Sequence, residues 1–118
     1  MSNMVLLSFV SRRELLAYMR NAVCLVCLSR LEGFGLPMVE AMAAGLPVVA
    51  AETSAIPETL GGVGVLVDPA KSRDVADAVE RLHGDVEYRE SLAAKGLARA
   101  REMFTWEACM ERLLASLD

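Results

Sequence analysis

Two short runs in this chain are apolar at every position: residues 22–28, Ala-Val-Cys-Leu-Val-Cys-Leu, and residues 47–51, Pro-Val-Val-Ala-Ala. A strand with one face in water alternates apolar and polar side chains, so a strand apolar throughout must be covered on both faces. Such strands belong to parallel sheets whose crossover helices pack on either side. The pattern predicts strands over residues 4–10, 23–28, 47–51 and 64–67, in that order, with helical segments between them. Ser11 and Glu14 have the spacing of a capping box and predict a helix running to about Arg20. Pro37 suits the first turn of a second helix and Gly45 its C-terminal stop. Ser72 is placed to cap a third helix, with Val75, Ala78, Val79 and Leu82 on one stripe. Further helices are expected over residues 86–103, with Gly96 as a candidate break, and 105–117, which would bury Trp106, Cys109 or Met110, Leu113, Leu114 and Leu117. The fold class is therefore α/β: a partial doubly wound, Rossmann-like parallel sheet of about four strands with flanking helices.

With 118 residues the chain has room for one core, and we read residues 1–118 as a single domain. A hydrophobic fraction of 54% against 24% charged residues excludes a disordered chain. The net charge of −4 argues against nucleic acid or an anionic membrane as partner, because both need a basic face. The uncharged stretch 41–51 contains Gly45 and Pro47 and falls well short of the ~18 apolar residues of a membrane span. No basic leader is read at the start, and three cysteines without a secretory signal suggest a reducing compartment, so a cytoplasmic location is expected. Cys24 and Cys27 have Cys-x-x-Cys spacing, but three positions apart on a strand they face opposite sides. With no second pair to complete a zinc site, neither a metal nor a cofactor is expected.

The segment richest in chemistry lies between the second strand and the second helix: Ser29-Arg30-Leu31-Glu32-Gly33-Phe34-Gly35-Leu36-Pro37-Met38-Val39-Glu40. It sits at the carboxyl end of a parallel strand, where open α/β sheets bind ligands. Gly33 and Gly35 let the backbone come close to a ligand. The N–H groups of Gly35, Leu36 and Met38 would face out of a helix N-terminus, a setting suited to phosphate. Glu32 and Glu40 flank that anion site and would accept hydrogen bonds from sugar hydroxyls. Each residue also has a plainer explanation. Glu40 would favour a helix first turn in any protein, Glu32 would sit well in a solvated loop, and Gly35 is an ordinary cap.

Taken together, the string resembles the E-x7-E motif of retaining glycosyltransferases of the GT-B fold, family 4 type (glycosyl transferases group 1). Glu32 and Glu40 stand with seven residues between them. Further along, Ile56-Pro57-Glu58 resembles the family's Pro-Glu turn, residues 62–69 its final strand and following turn, and Phe104-Thr105-Trp106 its F-S/T-W box. Leu28 stands where the family often has Pro. The resemblance implies a nucleotide-sugar donor as partner and roles for particular residues. Glu32 would meet the donor sugar at the reaction centre, as the catalytic carboxylate. Gly33, Phe34, Gly35 and Leu36 would line the sugar and offer N–H groups to the diphosphate, and Glu40 would bind the ribose hydroxyls. Glu58 would contact the donor or cap its turn. Arg30 would reach a phosphate or remain a solvated loop charge, and Arg12 and Arg13 are the other cations near the loop. His83 reads as a favourable charge late in its helix rather than a catalytic base.

The resemblance corresponds to the C-terminal part of the donor-binding domain. The Arg and Lys that neutralise the diphosphate in the family belong to an earlier segment, as does the acceptor-binding domain. On this reading the 118 residues bind donor but do not transfer sugar alone. The alternative is a non-catalytic nucleotide-binding or oligomeric structural module. A central strand such as 23–28, left with one open edge, is also expected to drive homo-oligomer formation, or pairing with the missing N-terminal half.

Overall fold

The computed structural model describes residues 4–8, 10–28, 36–52, 60–103 and 115. In chain order the elements are α1 (Arg12–Asn21), β1 (Leu25–Cys27), α2 (Leu36–Ala43), β2 (Val48–Ala51), β3 (Val65–Val67), α3 (Ser72–Gly84) and α4 (Val86–Met103). The three strands form one parallel sheet in the order β1-β2-β3. Val26 is in register with Val49, and Ala50 with Leu66. β2 is the centre and is buried at all four positions, as a strand apolar throughout requires.

The sheet separates two cores. On one face Leu25, Cys27, Val48, Ala50 and Leu66 pack with Leu15 and Met19 of α1, Met38, Ala41 and Met42 of α2, and Ala100 of α4. On the other, Val49, Val65 and Val67 pack with Val75, Ala78 and Leu82 of α3 and with Tyr88 and Leu92 of α4. Helices therefore cover both faces, and α4 closes against α2 as well as α3. Cys24 joins the second core and Cys27 the first, so the two thiols diverge. Burial pushes the Cys24 thiol up from its ordinary pKa, because the thiolate would lose its hydration.

Several termini follow their local chemistry. The Glu14 N–H donates to Ser11 Oγ at 3.1 Å while the Ser11 N–H reaches Glu14 Oε1 at 3.4 Å, a closed capping box. Gly45 takes φ +74°, with its N–H bonded to the Met42 carbonyl and the Leu46 N–H to that of Ala41. That pairing is a Schellman stop and explains why α2 ends there.

Three expectations need correction. Residues 4–8 and 10 form no strand and pair with none of the described strands, so the sheet has three strands where the pattern suggested four. Met4, Val5 and Leu6 are 83%, 79% and 93% exposed, so an apolar run alone does not make a strand when no neighbour supplies a ladder. Ser72 is the first residue inside α3, and Lys71, which has no side-chain acceptor, holds the cap position. The turn before it explains the offset: the Ala70 N–H donates to Asp68 Oδ1 at 2.9 Å, and the Lys71 N–H to the Asp68 carbonyl at 3.0 Å. Gly96 does not break α4. It is buried, and it brings the helix backbone close to Met42 of α2. The helix expected over residues 105–117 lies outside the described residues apart from position 115. No described helix is long and apolar enough to cross a membrane.

Candidate functional site

In a parallel sheet the carboxyl ends of all strands lie along one edge. Here β1 ends at Cys27, β2 at Ala51 and β3 at Val67. α2 follows β1, so its N-terminus belongs to that edge, the place where ligands sit in open α/β sheets. Helix geometry leaves the N–H groups of the first turn without intrahelical partners. In α2 these include Leu36 and Met38, and Pro37 has no N–H to satisfy. The positive end of the α2 dipole therefore points to the end of the sheet where the sequence places its anion site.

Glu32, Gly33, Phe34 and Gly35, together with Arg30 and Glu58, lie outside the described residues. Of the expected donor-binding set, the structure places the backbone of Leu36, as the first residue of α2, and Glu40 in full. Met38, Ala41 and Met42 drive α2 into the core, with Met38 and Ala41 fully buried. Glu40 is the fifth residue of α2, past the first turn where the sequence reading placed it because the helix begins at Leu36, and it is half-buried on the flank turned toward α1.

There Glu40 meets Arg12, the first residue of α1. Arg12 Nη1 donates to Glu40 Oε2 at 3.4 Å, and no described group engages Oε1. The Arg12 side chain is 72% exposed and that of Glu40 27%, so the carboxylate is the more buried partner and the guanidinium faces solvent. A cavity of about 300 Å³ opens beside the pair, lined by Arg12, Leu16, Arg20, Glu40, Ala43 and Ala44. Its floor is apolar, and its polar groups are one carboxylate and two guanidiniums. Such a wall accepts hydroxyl donors at Glu40 and attracts anions at the arginines. A larger depression of about 430 Å³, lined by Glu14, Ala17, Tyr18 and Asn21, lies on another face of α1 and does not include Glu40.

The sequence named Arg12 as a cation near the loop but gave no sign that it reaches Glu40, since 28 positions separate them. Arg20 was not singled out. Its signal was the spacing Arg12, Leu16, Arg20, which repeats every four residues and places the three on one helix face. His83 lies at the end of α3, exposed, where its carbonyl accepts from Arg89 Nη1 at 3.2 Å. It is remote in the chain from the strand ends and takes no part in the cavity.

Comparison with known proteins gives the chain its relatives. The family described as Glycosyl transferases group 1 matches residues 2–99. The chain is 37% identical over 107 residues to a D-inositol 3-phosphate glycosyltransferase of Thermobifida fusca, covering 89% of this chain and 24% of that protein. It is 40% identical over 78 residues to O-antigen chain mannosyltransferase B of Escherichia coli, covering 66% and 20%. To an MMP alpha-(1->4)-mannosyltransferase of Mycolicibacterium hassiacum it is 36% identical over 111 residues, covering 92% and 27%. The chain thus spans between 20% and 27% of the length of these relatives. Among solved structures, sucrose-phosphate synthase from Thermosynechococcus elongatus superposes with a TM-score of 0.66 at 34% identity, over 78% of this chain and 25% of that one. With its match extending over residues 2–99, this chain belongs to the glycosyl transferases group 1 family.

Proposed function

We propose that this chain is the nucleotide-sugar-binding part of a retaining glycosyltransferase, corresponding to the C-terminal part of the donor domain. The observation that carries the reading is Glu40. It is a half-buried carboxylate at the fifth of the eight positions of a helix that follows a parallel strand, with Oε1 unengaged among the described residues and a cavity beside it. In this reading the ribose hydroxyls donate to Glu40, and the diphosphate lies at the free N–H groups of the α2 N-terminus. Gly33, Phe34, Gly35 and Leu36 line the sugar. Glu32 lies at the anomeric carbon, where the bond to the diphosphate oxygen breaks and the bond to the acceptor oxygen forms on the same face. Charge developing on the leaving diphosphate is met by the α2 dipole and by preorganised N–H donors, which act without reorganising as the bond breaks.

Alone, these 118 residues bind donor without transferring its sugar, because the family's diphosphate cations and acceptor domain belong to other segments. Two further readings go with this one. The chain acts in the cytoplasm, in keeping with free Cys24 and Cys27. It self-associates through the outer edge of β1 and residues 4–7, where Val26 is 40% exposed and Leu6 93%.

The test is a titration with nucleoside diphosphates and nucleotide-sugars, following the backbone amides of residues 33–36 and 38. Those amides shift if the diphosphate sits there. Glu40→Ala weakens binding by about 1.5–3 kcal/mol, the worth of hydrogen bonds to a charged group. Silent amides at millimolar ligand, or unchanged affinity in a folded Glu40→Ala variant, count against the assignment.

A further inference from the structure

We propose that Arg12 is the internal occupant of the Glu40 carboxylate, and that a ligand's vicinal diol binds by displacing it. The inference rests on the reading of Glu40 as the hydroxyl-binding carboxylate. A carboxylate offers acceptors only, and a guanidinium offers donors only. A vicinal diol presents two O–H donors, one for each carboxylate oxygen. Glu40 Oε1 is unengaged among the described residues, but Oε2 already accepts from Arg12. The diol and the guanidinium therefore compete for the same lone pairs.

The geometry favours release over sharing. The contact is single and 3.4 Å long, whereas a well-made charge-assisted bond is about 2.7–2.9 Å. Arg12 is the first residue of α1, its side chain is mostly in solvent, and no other described group holds it. It can swing away without disturbing the core. The cap of α1 is supplied by Ser11 and Glu14, so the helix start does not depend on Arg12. Glu40 is the more buried partner and stays in place on α2. Arg12 thus acts on the ligand through Glu40, as a competitor for its carboxylate that a two-donor ligand displaces.

Two consequences separate this role from a structural one. The affinity of a ligand for a site that is only fractionally free is reduced by that fraction, so removing the occupant tightens binding. The gain also belongs only to ligands that use Glu40. A 2′,3′-dideoxynucleotide gives up nothing to Arg12 and gains nothing from its loss. Salt weakens exposed ion pairs, so raising salt frees Glu40 in the native chain and offsets part of the screening of the diphosphate. In Arg12→Gln that offset disappears.

The experiment measures Kd by calorimetry for UDP and GDP and for their 2′,3′-dideoxy counterparts, on the native chain, Arg12→Gln and Glu40→Gln, at low and high salt. The expected result is that Arg12→Gln binds the ribose forms about 2- to 5-fold tighter, the scale of an exposed ion pair, and leaves the dideoxy forms unchanged. The loss of affinity with salt is steeper in Arg12→Gln. Weaker binding of both forms by Arg12→Gln would show that Arg12 contacts the ligand directly and would overturn the proposal. Unchanged binding of the ribose forms overturns it too. If Glu40→Gln weakens binding of the ribose forms while Arg12→Gln does not tighten it, the Arg12 inference fails alone and the reading of Glu40 stands. If neither diphosphate binds the native chain or Arg12→Gln, the reading of Glu40 fails and takes the inference with it.

Discussion

At the corner between α3 and α4 the polypeptide satisfies its own loose ends, whereas along residues 4–7 and the outer edge of β1 it leaves them open. A single residue, Asp85, joins the two helices. Its carboxylate accepts from the Tyr88 N–H at 3.0 Å and so caps α4. Arg89 Nη1 donates to the carbonyls of Leu82 and His83 at 3.1 and 3.2 Å, closing α3. Arg81 stacks over the Tyr88 ring at 3.6 Å. At the opposite side of the sheet, β1 pairs with β2 alone among the described strands, and Leu6 and Val26 meet solvent. A closed corner contributes stability and an open edge offers contact, and the cavity beside Glu40 lies on the α1–α2 side, with the open edge.

The comparison breaks most visibly at Leu82. It is fully buried and packs with Val49, Val67 and Leu92 beneath the closed corner. Leu82→Ala is expected to destabilise the fold by about 2–5 kcal/mol through lost burial and a residual cavity. Chemical denaturation with an unchanged slope would measure it. A loss below about 1 kcal/mol would mean that this half of the core collapses to fill the space.

Asp85 sharpens the same contrast at smaller scale. Asp85→Ala removes the only side-chain cap seen at the start of α4 among the described residues. It is expected to cost about 0.5–2 kcal/mol, the range for losing a helix N-cap. Asp85→Asn keeps an acceptor and is expected to recover most of the loss, so equal melting of the two variants would rule out capping as the cause.

How much of this was legible depended on the range of the interaction. The Ser11–Glu14 box, the Gly45 stop and the Val75–Ala78–Leu82 stripe are written within one or two helical turns, and the structure contains each of them. So is the cap at Asp85, which was missed because the residue looked like part of a loop between two helices. Ser72 misled because the Asp68 turn, four positions back, sets which residue enters α3 first. Residues 4–10 misled because strand propensity says nothing about whether a partner strand is there to pair with. The ion pair of Arg12 with Glu40 joins two helices across 28 positions, and no local pattern encodes it. For residues 29–35, residue chemistry pointed to an anion and hydroxyl site and the resemblance added the specific donor-sugar roles; their placement lies outside the described residues.

Gly96 tests whether closeness or flexibility explains a glycine inside α4. A methyl group there would meet Met42 Cγ at 3.6 Å, an ordinary van der Waals contact. The backbone is helical and needs no positive φ. Gly96→Ala is therefore expected to stabilise the chain by about 0.5–1 kcal/mol, through helix propensity and a less free unfolded chain. Destabilisation would show that α4 and α2 pack more tightly than the spacing implies.

The smallest effect on the fold, and the clearest on assembly, is expected at Leu6. Its side chain is 93% exposed and rests on none of the described core. Leu6→Asp should change monomer stability by no more than about 0.5 kcal/mol, as surface substitutions do. Residues 4–7 are nonetheless a continuous exposed apolar stretch, and among the described residues the outer side of β1 has no partner strand for its N–H and C=O groups. If strand addition between copies uses both, light scattering at micromolar concentration shows an oligomer for the native chain. The same measurement on Leu6→Asp shows a shift toward monomer, because an aspartate in the added strand would bring an unpaired charge to the seam. A native chain that runs as a monomer across that range would remove self-association from the account and leave the open edge for a different polypeptide. An oligomer untouched by Leu6→Asp would move the interface away from residues 4–7, toward the exposed Val26 and Leu28 of the β1 edge itself.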